Sequence, residues 1–460
     1  MQSRCSGGER AAGLFPRSKC PTIPIEDNHK LVQLTDALDW DELENRAQEI
    51  RRGKLKNAAG RPPHLRVTLG AMTLMSTRKL TYREAEDLIR YYAPARYLCG
   101  LTETQWTPDF TTVWDFTQLM GEEGIKLINQ YVMELAVKRK LADPSILVAD
   151  TTAQEACIPY PNEMGLMGSF LTAVTAAGRK VGRALKEFTR KTAAQFKAAK
   201  QRVREYRLFA KTKQKKDRVM TQMTALVEKI NEQLRRALEA PMGPVHKYAI
   251  VARNKLRRLQ QTMKALLPQI RYWLRTGRVA SGKIISLHIP QLYSIVRGKI
   301  GKTVEFGLSW GIRRLQGGYL LATLAKNRAE LQDTKFAVRA VEDHVAQFGK
   351  APRAYAYDRG GYSTQNICTL KKLGVKQVGL APRGRARWSV SGPVRDRLLR
   401  ERAQIEAAIG TIKSSRYGFN RPAARSAPMM GACGQRAVLG FNSSKLVRQL
   451  AKRKNIVLVG

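Results

Sequence analysis

Three acidic residues of the sequence lie in surroundings that suit the cleavage of phosphate esters. Asp150 ends the apolar run SILVAD, and Asp358 ends the similar run RAYAYD. Short apolar runs of this kind are typical of buried strands, so we expect each acid where a strand ends and a cleft begins. Glu406 interrupts a largely apolar segment of a predicted helix. These three acids are the candidate catalytic residues.

Carboxylates in such positions favour chemistry that depends on divalent cations. Phosphodiester cleavage needs an activated attacking oxygen and a stabilised leaving oxygen, and two cations about 4 Å apart provide both. Mg²⁺, for which Mn²⁺ can substitute, prefers carboxylate oxygens and retains water ligands. An acid buried among apolar residues is also costly unless a cation or a donor compensates it. We therefore expect Asp150, Asp358 and Glu406 to bind two Mg²⁺ ions.

Basic residues accompany these acids. Arg402, Glu406 and Lys413 lie at positions i, i+4 and i+11, which places them within roughly 60° on one face of a helix. Cations on this face suit a phosphate bound beside the carboxylates. An ordinary surface ion pair between Arg402 and Glu406 explains the spacing equally well. Arg359, which adjoins Asp358, is a further candidate for a phosphate contact.

An aromatic residue in a basic loop is a candidate for contact with nucleic-acid bases. Residues 382–388 have the sequence PRGRARW, which combines cations for a phosphate backbone with Trp388 for stacking. Stacking of a base on Trp388 is one interpretation. Packing of the indole against the protein itself is the other, and it is the more common role of such a residue.

The charge of the whole chain indicates a polyanionic partner. The 460 residues include 82 Lys and Arg against 37 Asp and Glu, which gives a net charge of +45. Such an excess destabilises a compact fold through repulsion, and nucleic-acid phosphates remove that cost while they release counterions. DNA is therefore the expected partner, with RNA or an unusually soluble protein as the alternatives.

Other classes of protein fit the sequence poorly. No stretch approaches the run of about 18 apolar residues that a membrane-spanning helix needs. The six cysteines are widely spaced and form no C-x-x-C pair, which argues against a zinc ribbon and against a disulfide scaffold. We expect a cytoplasmic protein that associates with the nucleoid and not with a membrane.

The pattern of predicted elements changes from helical to mixed near residue 140. Once residues 160–281 are set aside, the order that follows is strand, strand, strand, helix, strand, helix, strand, helix. This order is typical of a ribonuclease-H-like α/β core, in which helices cover a mixed sheet. The predicted divisions are a loose basic tail (1–28), an all-helical N-terminal domain for DNA binding or dimerisation (29–140), the catalytic core (141–159 and 282–418), a long basic helical insertion (160–281) and a C-terminal helical segment (419–460) with a helix from about residue 435.

The insertion is a strongly basic part of the chain. Residues 161–280 contain roughly 28 Lys and Arg against 7 Asp and Glu. They predict two or more long helices, divided near residues 241–244. Met223, Leu226, Ile230 and Leu234 recur at helical spacing, so we expect them in the core between these helices. The surrounding cations form either a solvated surface or a surface that faces DNA.

In their order and combination, these motifs resemble those of insertion-sequence transposases of the DDE class. The spacing Arg402-x3-Glu406-x6-Lys413 matches the signature that carries the third acid of that family. Asp150 lies in the family's Asp-x-Thr context. Asp358 lies in a variant of its Asp-x-Gly-Tyr context that contains one additional glycine.

The resemblance covers most of residues 60–450 and has specific implications. It implies metal-dependent DNA cleavage at the terminal inverted repeats of an insertion sequence, followed by transfer of the freed 3′ end to target DNA. It also implies a homodimer on DNA, with the N-terminal domain and the insertion holding the repeats. The family often has a tyrosine where this chain has Leu399, so the phosphate contact of that tyrosine is not expected here.

Two alternatives stay open at this point. A nuclease on the same ribonuclease-H-like core would share the first cleavage step and lack strand transfer. A non-catalytic protein that binds DNA or RNA would keep the basic surface without the chemistry. Assays of strand transfer and of metal-independent binding separate these possibilities.

Overall fold

The described part of the chain is a mixed α/β protein rich in helices. The computed structural model describes residues 25–54, 64–101, 106–178, 181, 183–240, 247–299, 302–327, 330, 332–382, 384 and 387–460. Most of the predicted tail (1–28) and the helix break predicted at residues 241–244 lie outside these residues. Within the described ranges, every helix is either too short or too polar to serve as a membrane span.

The N-terminal part of the described chain is helical, as its sequence pattern predicts. Its helices are α1 (Lys30–Ala37), α2 (Trp40–Lys54), α3 (Leu65–Arg78), α4 (Tyr82–Tyr91), α5 (Ala93–Leu98) and α6 (Phe110–Lys138). A capping box begins α4, because Thr81 and Glu84 each accept a hydrogen bond from the backbone N–H of the other. Asp109 caps α6 by accepting from the backbone N–H of Thr112. The apolar faces of these helices share one core with part of the sheet.

A six-stranded sheet lies at the centre of the described structure. Its strands are β1 (Asp143–Glu155), β2 (Tyr293–Lys299), β3 (Lys302–Gln316), β4 (Leu320–Leu324), β5 (Ala354–Tyr357) and β6 (Gln377–Leu380). Their order is β2-β3-β1-β5-β6, and β4 also pairs with β3. Strand β1 is antiparallel to β3 and parallel to β5, and β5 is parallel to β6. The predicted order of strands and helices is present, with β2 as an additional strand.

Helices pack on both faces of this sheet. They are α11 (Asp333–Phe348), α12 (Thr364–Lys372), α13 (Gly392–Lys413) and α14 (Ala427–Arg453). Phe336 of α11 shares a core with Tyr355, whereas Ile405 of α13 shares a different core with Val148 and Ala356. Because side chains alternate along a strand, consecutive residues of β1 and β5 contact opposite layers of helices.

Helix α14 joins the sheet to the N-terminal helices. It begins at Ala427, earlier than the start predicted near residue 435. Glycines allow its close approach on both sides: a Cβ on Gly434 would lie 2.5 Å from the indole of Trp310, and one on Gly440 would lie 2.0 Å from the backbone oxygen of Ser76. Such contacts fix the N-terminal helices relative to the sheet.

The chain between β1 and β2 forms a helical unit with a core of its own. Its helices are α7 (Glu163–Gly178), α8 (Arg183–Leu208), α9 (Lys213–Glu239) and α10 (Lys247–Thr276). Met223, Ile230 and Leu234 are fully buried in that core and Leu226 packs against it, as their spacing predicts.

Candidate active site

Asp150 on β1 and Asp358 directly after β5 lie at the same level of two neighbouring parallel strands. The ladder between β1 and β5 ends with the pair Val148 and Ala356, and each aspartate lies two residues beyond that pair. Val148 and Ala356 pack towards α13, so alternation along the strands directs both aspartate side chains to the same face. Both residues are half-buried. The register therefore places the first two candidate acids on one face of the sheet, just beyond the end of the ladder between β1 and β5.

Strand β1 continues beyond Asp150, which corrects the prediction that the strand ends there. It extends to Glu155 because residues 151–155 pair with β3. Gln154, within this extension, is fully buried and accepts a hydrogen bond from the indole N–H of Trp310 at 3.1 Å. Polar residues that have tertiary partners thus extend β1. A prediction based on the apolar run alone therefore places the end of this strand too early.

Asp358 begins a tight turn directly after β5. Its carboxylate accepts a hydrogen bond from the backbone N–H of Gly360 at 2.8 Å and caps the short 3-10 turn Arg359–Gly361. Burial raises the pKa of Asp358, and the nearby carboxylate of Asp333 raises it further, whereas the turn N–H groups and Arg402 act in the opposite direction. The net direction is upward, so this site disfavours the ionised acid.

Asp333 is a further acid beside the end of the ladder between β1 and β5, and no sequence motif indicates it. It is the first residue of α11. Its Oδ1 accepts hydrogen bonds from Thr151 Oγ1 at 2.8 Å and from the hydroxyl of Tyr357 at 3.3 Å. These donors adjoin Asp150 and Asp358 in the sequence. One carboxylate therefore links β1 to β5 beyond the end of their backbone ladder.

Close packing explains the two glycines in the turn that follows Asp358. A Cβ on Gly360 would lie 2.5 Å from Asp333 Oδ2, and one on Gly361 would lie 2.5 Å from the ring of Tyr357. A side chain at either position would displace Asp333 or the end of β5. The glycine pair therefore belongs to the same contact network as the acids.

Helix α13 is fixed to the sheet by a buried ion pair as well as by apolar contacts. Arg314 of β3 donates to Glu401 Oε2 at 2.6 Å, and the two side chains are only 5% and 11% exposed. Gln404 accepts a second hydrogen bond from the same guanidinium. Ile405 is fully buried on the sheet side of the helix. These contacts set the rotation of α13 and thereby the direction of its other faces.

Glu406 lies on an exposed side of α13 with Arg402 as its partner. Arg402 Nη2 and Glu406 Oε1 are 3.0 Å apart, and the glutamate side chain is 56% exposed. Lys413 is half-buried in the last turn of the same helix. Among the described residues, no three His, Cys, Asp or Glu side chains are arranged to hold a metal ion. Glu406 is thus not gathered with Asp150 and Asp358 in this arrangement.

The remaining candidates lie at the margin of this region. Arg359 is exposed in the turn after Asp358. Trp388 is half-buried in the segment between β6 and α13, and residues 383, 385 and 386 of the same loop lie outside the described residues. No stacking partner of Trp388 is found among the described aromatic pairs.

The N-terminal helices provide a comparison with known proteins. Residues 22–119 match the family described as Transposase domain (DUF772). The matched range includes α1 to α5 and the beginning of α6, and it covers about a fifth of the chain. This match supports a transposase as the class of protein. No curated protein and no solved structure matches the chain at a significant level.

Proposed function

We propose that this protein is a DDE-type DNA transposase that cleaves the terminal inverted repeats of an insertion sequence and joins them to target DNA. The observation that carries the proposal is the placement of Asp150 on β1 and of Asp358 directly after β5, at the same level and on the face covered by α13. The transposase-domain match of residues 22–119 and the net charge of +45 support it.

The topology of the sheet supports a ribonuclease-H-like core. Strands β4, β3 and β1 are joined by antiparallel pairs, and β5 and β6 continue the sheet in parallel with β1. Helices α11, α12 and α13 follow β4, β5 and β6 in turn. The first acid then lies on the central strand, the second follows the adjoining strand and the third lies on the helix after the last strand. This is the arrangement implied by the resemblance to DDE transposases.

The donor chemistry of the two aspartates fits a divalent cation. Because burial and Asp333 raise the pKa of Asp358, a cation beside it would favour the ionised carboxylate that the protein alone disfavours. Asp150 lies on the same face of the sheet, at the level of Asp358. Glu406 would supply the third carboxylate by leaving its ion pair with Arg402 and binding a metal cation instead. Two Mg²⁺ ions, or Mn²⁺ in their place, would supply the activation of water and the stabilisation of the leaving oxygen.

Basic residues around these acids would hold the DNA backbone. Arg402 and Lys413 belong to α13, and Arg359 is exposed beside Asp358. Guanidinium and ammonium groups donate charge-assisted hydrogen bonds to phosphate oxygens. Trp388 would stack on a base near the cleaved bond. Joining two transposon ends to one target calls for two catalytic cores, so we expect a homodimer on DNA.

Cleavage of DNA that carries the gene's own flanking ends tests this proposal. The wild-type protein should cut this DNA with Mg²⁺, and Glu406→Gln should bind it without cutting. Asp396→Asn is a matched control, because Asp396 is an exposed, ion-paired acid on the same helix. The control variant should cut at the wild-type rate. Equal cleavage by wild type and Glu406→Gln would show that Glu406 is not the third acid.

The products of the same assay separate the alternatives. Joining of the freed 3′ end to target DNA supports a transposase. Cleavage without joining, under conditions that allow both, indicates a nuclease on the same core. Tight binding without cleavage of confirmed ends by the wild type indicates a non-catalytic DNA-binding protein.

A further inference from the structure

A groove on the helical insertion lies apart from the candidate active site. It has a volume of about 480 Å³ and is lined by residues of α7, α8, α10 and the segment before β2. The exposed face of α7 forms its floor and consists of small residues: Gly165, Gly168, Ser169, Thr172 and Ala176. Helix α7 contains no Lys or Arg, whereas α8, α9 and α10 are rich in both.

Cations form the walls of this groove. Lys200 and Arg207 of α8 and Lys255 of α10 line it, and all three are exposed. In the described part of the chain none of them takes part in an ion pair, whereas Arg202 of α8 pairs with Glu205. No acid is found among the described lining residues. The three charges are therefore available to an anion from outside the protein.

His288 borders the groove on the side of the catalytic core. Burial lowers its pKa, and Lys255 and Arg425 lower it further. The imidazole is consequently neutral at pH 7 and offers one N–H donor. Arg425, in the segment between α13 and α14, is thus a further cation close to His288.

We propose that this groove binds the phosphate backbone of DNA at a site separate from the catalytic acids. Between Gly165 and Ala176 the floor is about 16 Å long, and one strand of duplex DNA presents a phosphate about every 3.4 Å along the axis. Because the strand also winds around the axis once in about 10.5 base pairs, only about three of these phosphates face the groove, which matches its three cations. The small residues of the floor leave room for the sugar-phosphate backbone of DNA. The cations of the walls bind its phosphates without recognising bases. The inference rests on the proposed function only in taking DNA as the partner.

Replacement of the three cations that line the groove by neutral residues tests this site in the full-length protein. The groove variant combines Lys200→Gln, Arg207→Gln and Lys255→Gln. Binding to duplex DNA with the gene's flanking ends is measured without Mg²⁺ over a series of salt concentrations. Loss of about three phosphate contacts should lower the slope of log affinity against log salt by about 2.7, which corresponds to about 500-fold weaker binding at 0.1 M salt relative to 1 M salt.

A control variant with the same change in charge isolates the effect of position. It combines Arg190→Gln, Lys229→Gln and Lys264→Gln. These are likewise two Lys and one Arg that are exposed on the insertion helices, and they do not line the groove. The control should retain an affinity within about fivefold of the wild type, because only distant, screened charges are removed.

A second variant tests the shape of the groove without changing its charge. Thr172→Trp places an indole on the exposed floor of α7. It should weaken DNA binding by at least tenfold, while far-UV circular dichroism and the melting temperature stay close to the wild type. A bulky residue at an exposed helix position leaves the helical core intact, so lost binding reports on the blocked groove.

The outcomes separate this site from the proposed catalysis. Equal affinities and salt slopes for the groove and control variants, with tight binding by the wild type, would overturn the groove and leave the catalytic proposal standing. Binding lost in the groove variant and in Thr172→Trp but kept in the control supports the groove, and binding without cleavage by Glu406→Gln supports the catalytic proposal. Absence of DNA binding by the wild type would overturn both.

Discussion

The carboxylate of Asp333 should act as a positioning residue for the two aspartates of the candidate active site. It accepts hydrogen bonds from Thr151 and Tyr357, which adjoin Asp150 and Asp358 in the sequence. The backbone ladder between β1 and β5 has already ended at this level. Asp333→Ala removes the side-chain link, so the two strand ends become free to shift relative to each other.

The structure allows the size of this effect to be estimated. Asp333→Ala removes one hydrogen bond of 2.8 Å and a longer, weaker one of 3.3 Å. Hydrogen bonds to charged groups contribute about 1.5–3 kcal/mol each. Relief of the repulsion between Asp333 and Asp358 offsets part of the loss. We expect a decrease of about 2 kcal/mol in the free energy of unfolding, and an equal loss of positioning would lower kcat about 30-fold.

Single-turnover cleavage at saturating DNA and Mg²⁺ measures this effect, with DNA affinity measured separately. Asp333→Ala should lower the rate and leave the affinity unchanged. Asp333→Asn keeps an acceptor of the same shape and should retain most of the rate. Glu342→Ala, an exposed acid on the same helix, serves as the control. A wild-type rate for Asp333→Ala would refute the positioning role, and equally low rates for Ala and Asn would assign the effect to charge.

Two further changes test how the site is built. Glu401→Ala leaves the buried guanidinium of Arg314 without its carboxylate and should lower the free energy of unfolding by about 3–5 kcal/mol. A loss below about 1 kcal/mol in urea denaturation would be typical of a surface pair and would contradict this expectation. Asp358→Asn should abolish cleavage and, without divalent cations, raise the melting temperature at pH 7. The pKa of Asp358 is raised in the folded protein, so ionisation costs stability as the pH rises above the unfolded value of about 3.9. The difference in melting temperature from the wild type should therefore be small at pH 4 and widen towards pH 7, and a constant difference would contradict the assignment.

Local patterns in the sequence were sufficient to predict several features of the candidate site. Apolar runs followed by an acid predicted the buried strands that lead to Asp150 and Asp358, because burial of a central strand requires such runs. Helical spacing predicted that Arg402 and Glu406 share a face, and the structure forms their ion pair. The order of the elements also follows from local pattern, since helices and strands have different hydrophobic periods.

Contacts between distant segments were not predictable in the same way. Asp333 is separated by 182 residues from its donor Thr151, and an acid in the first turn of a helix has an ordinary explanation in the helix dipole. Helix α14 continues through Gly434, whose low helix propensity is outweighed by close packing on Trp310. In each case tertiary packing decides the role of the residue, and this packing cannot be read from the spacing of residues in the sequence.

The chain leaves the sheet for the helical insertion and returns to the sheet at neighbouring positions. Glu155, near its entry, and Tyr293, near its exit, pair with the same residue of β3, Gly307, from opposite sides. Neighbouring strands are about 4.8 Å apart, so the two attachment points lie about 10 Å from each other. A linker of four residues spans that distance. We therefore expect that a short linker can replace the four helices without breaking a strand pair, so that the proposed DNA-binding groove can change independently of the sheet that carries the acids.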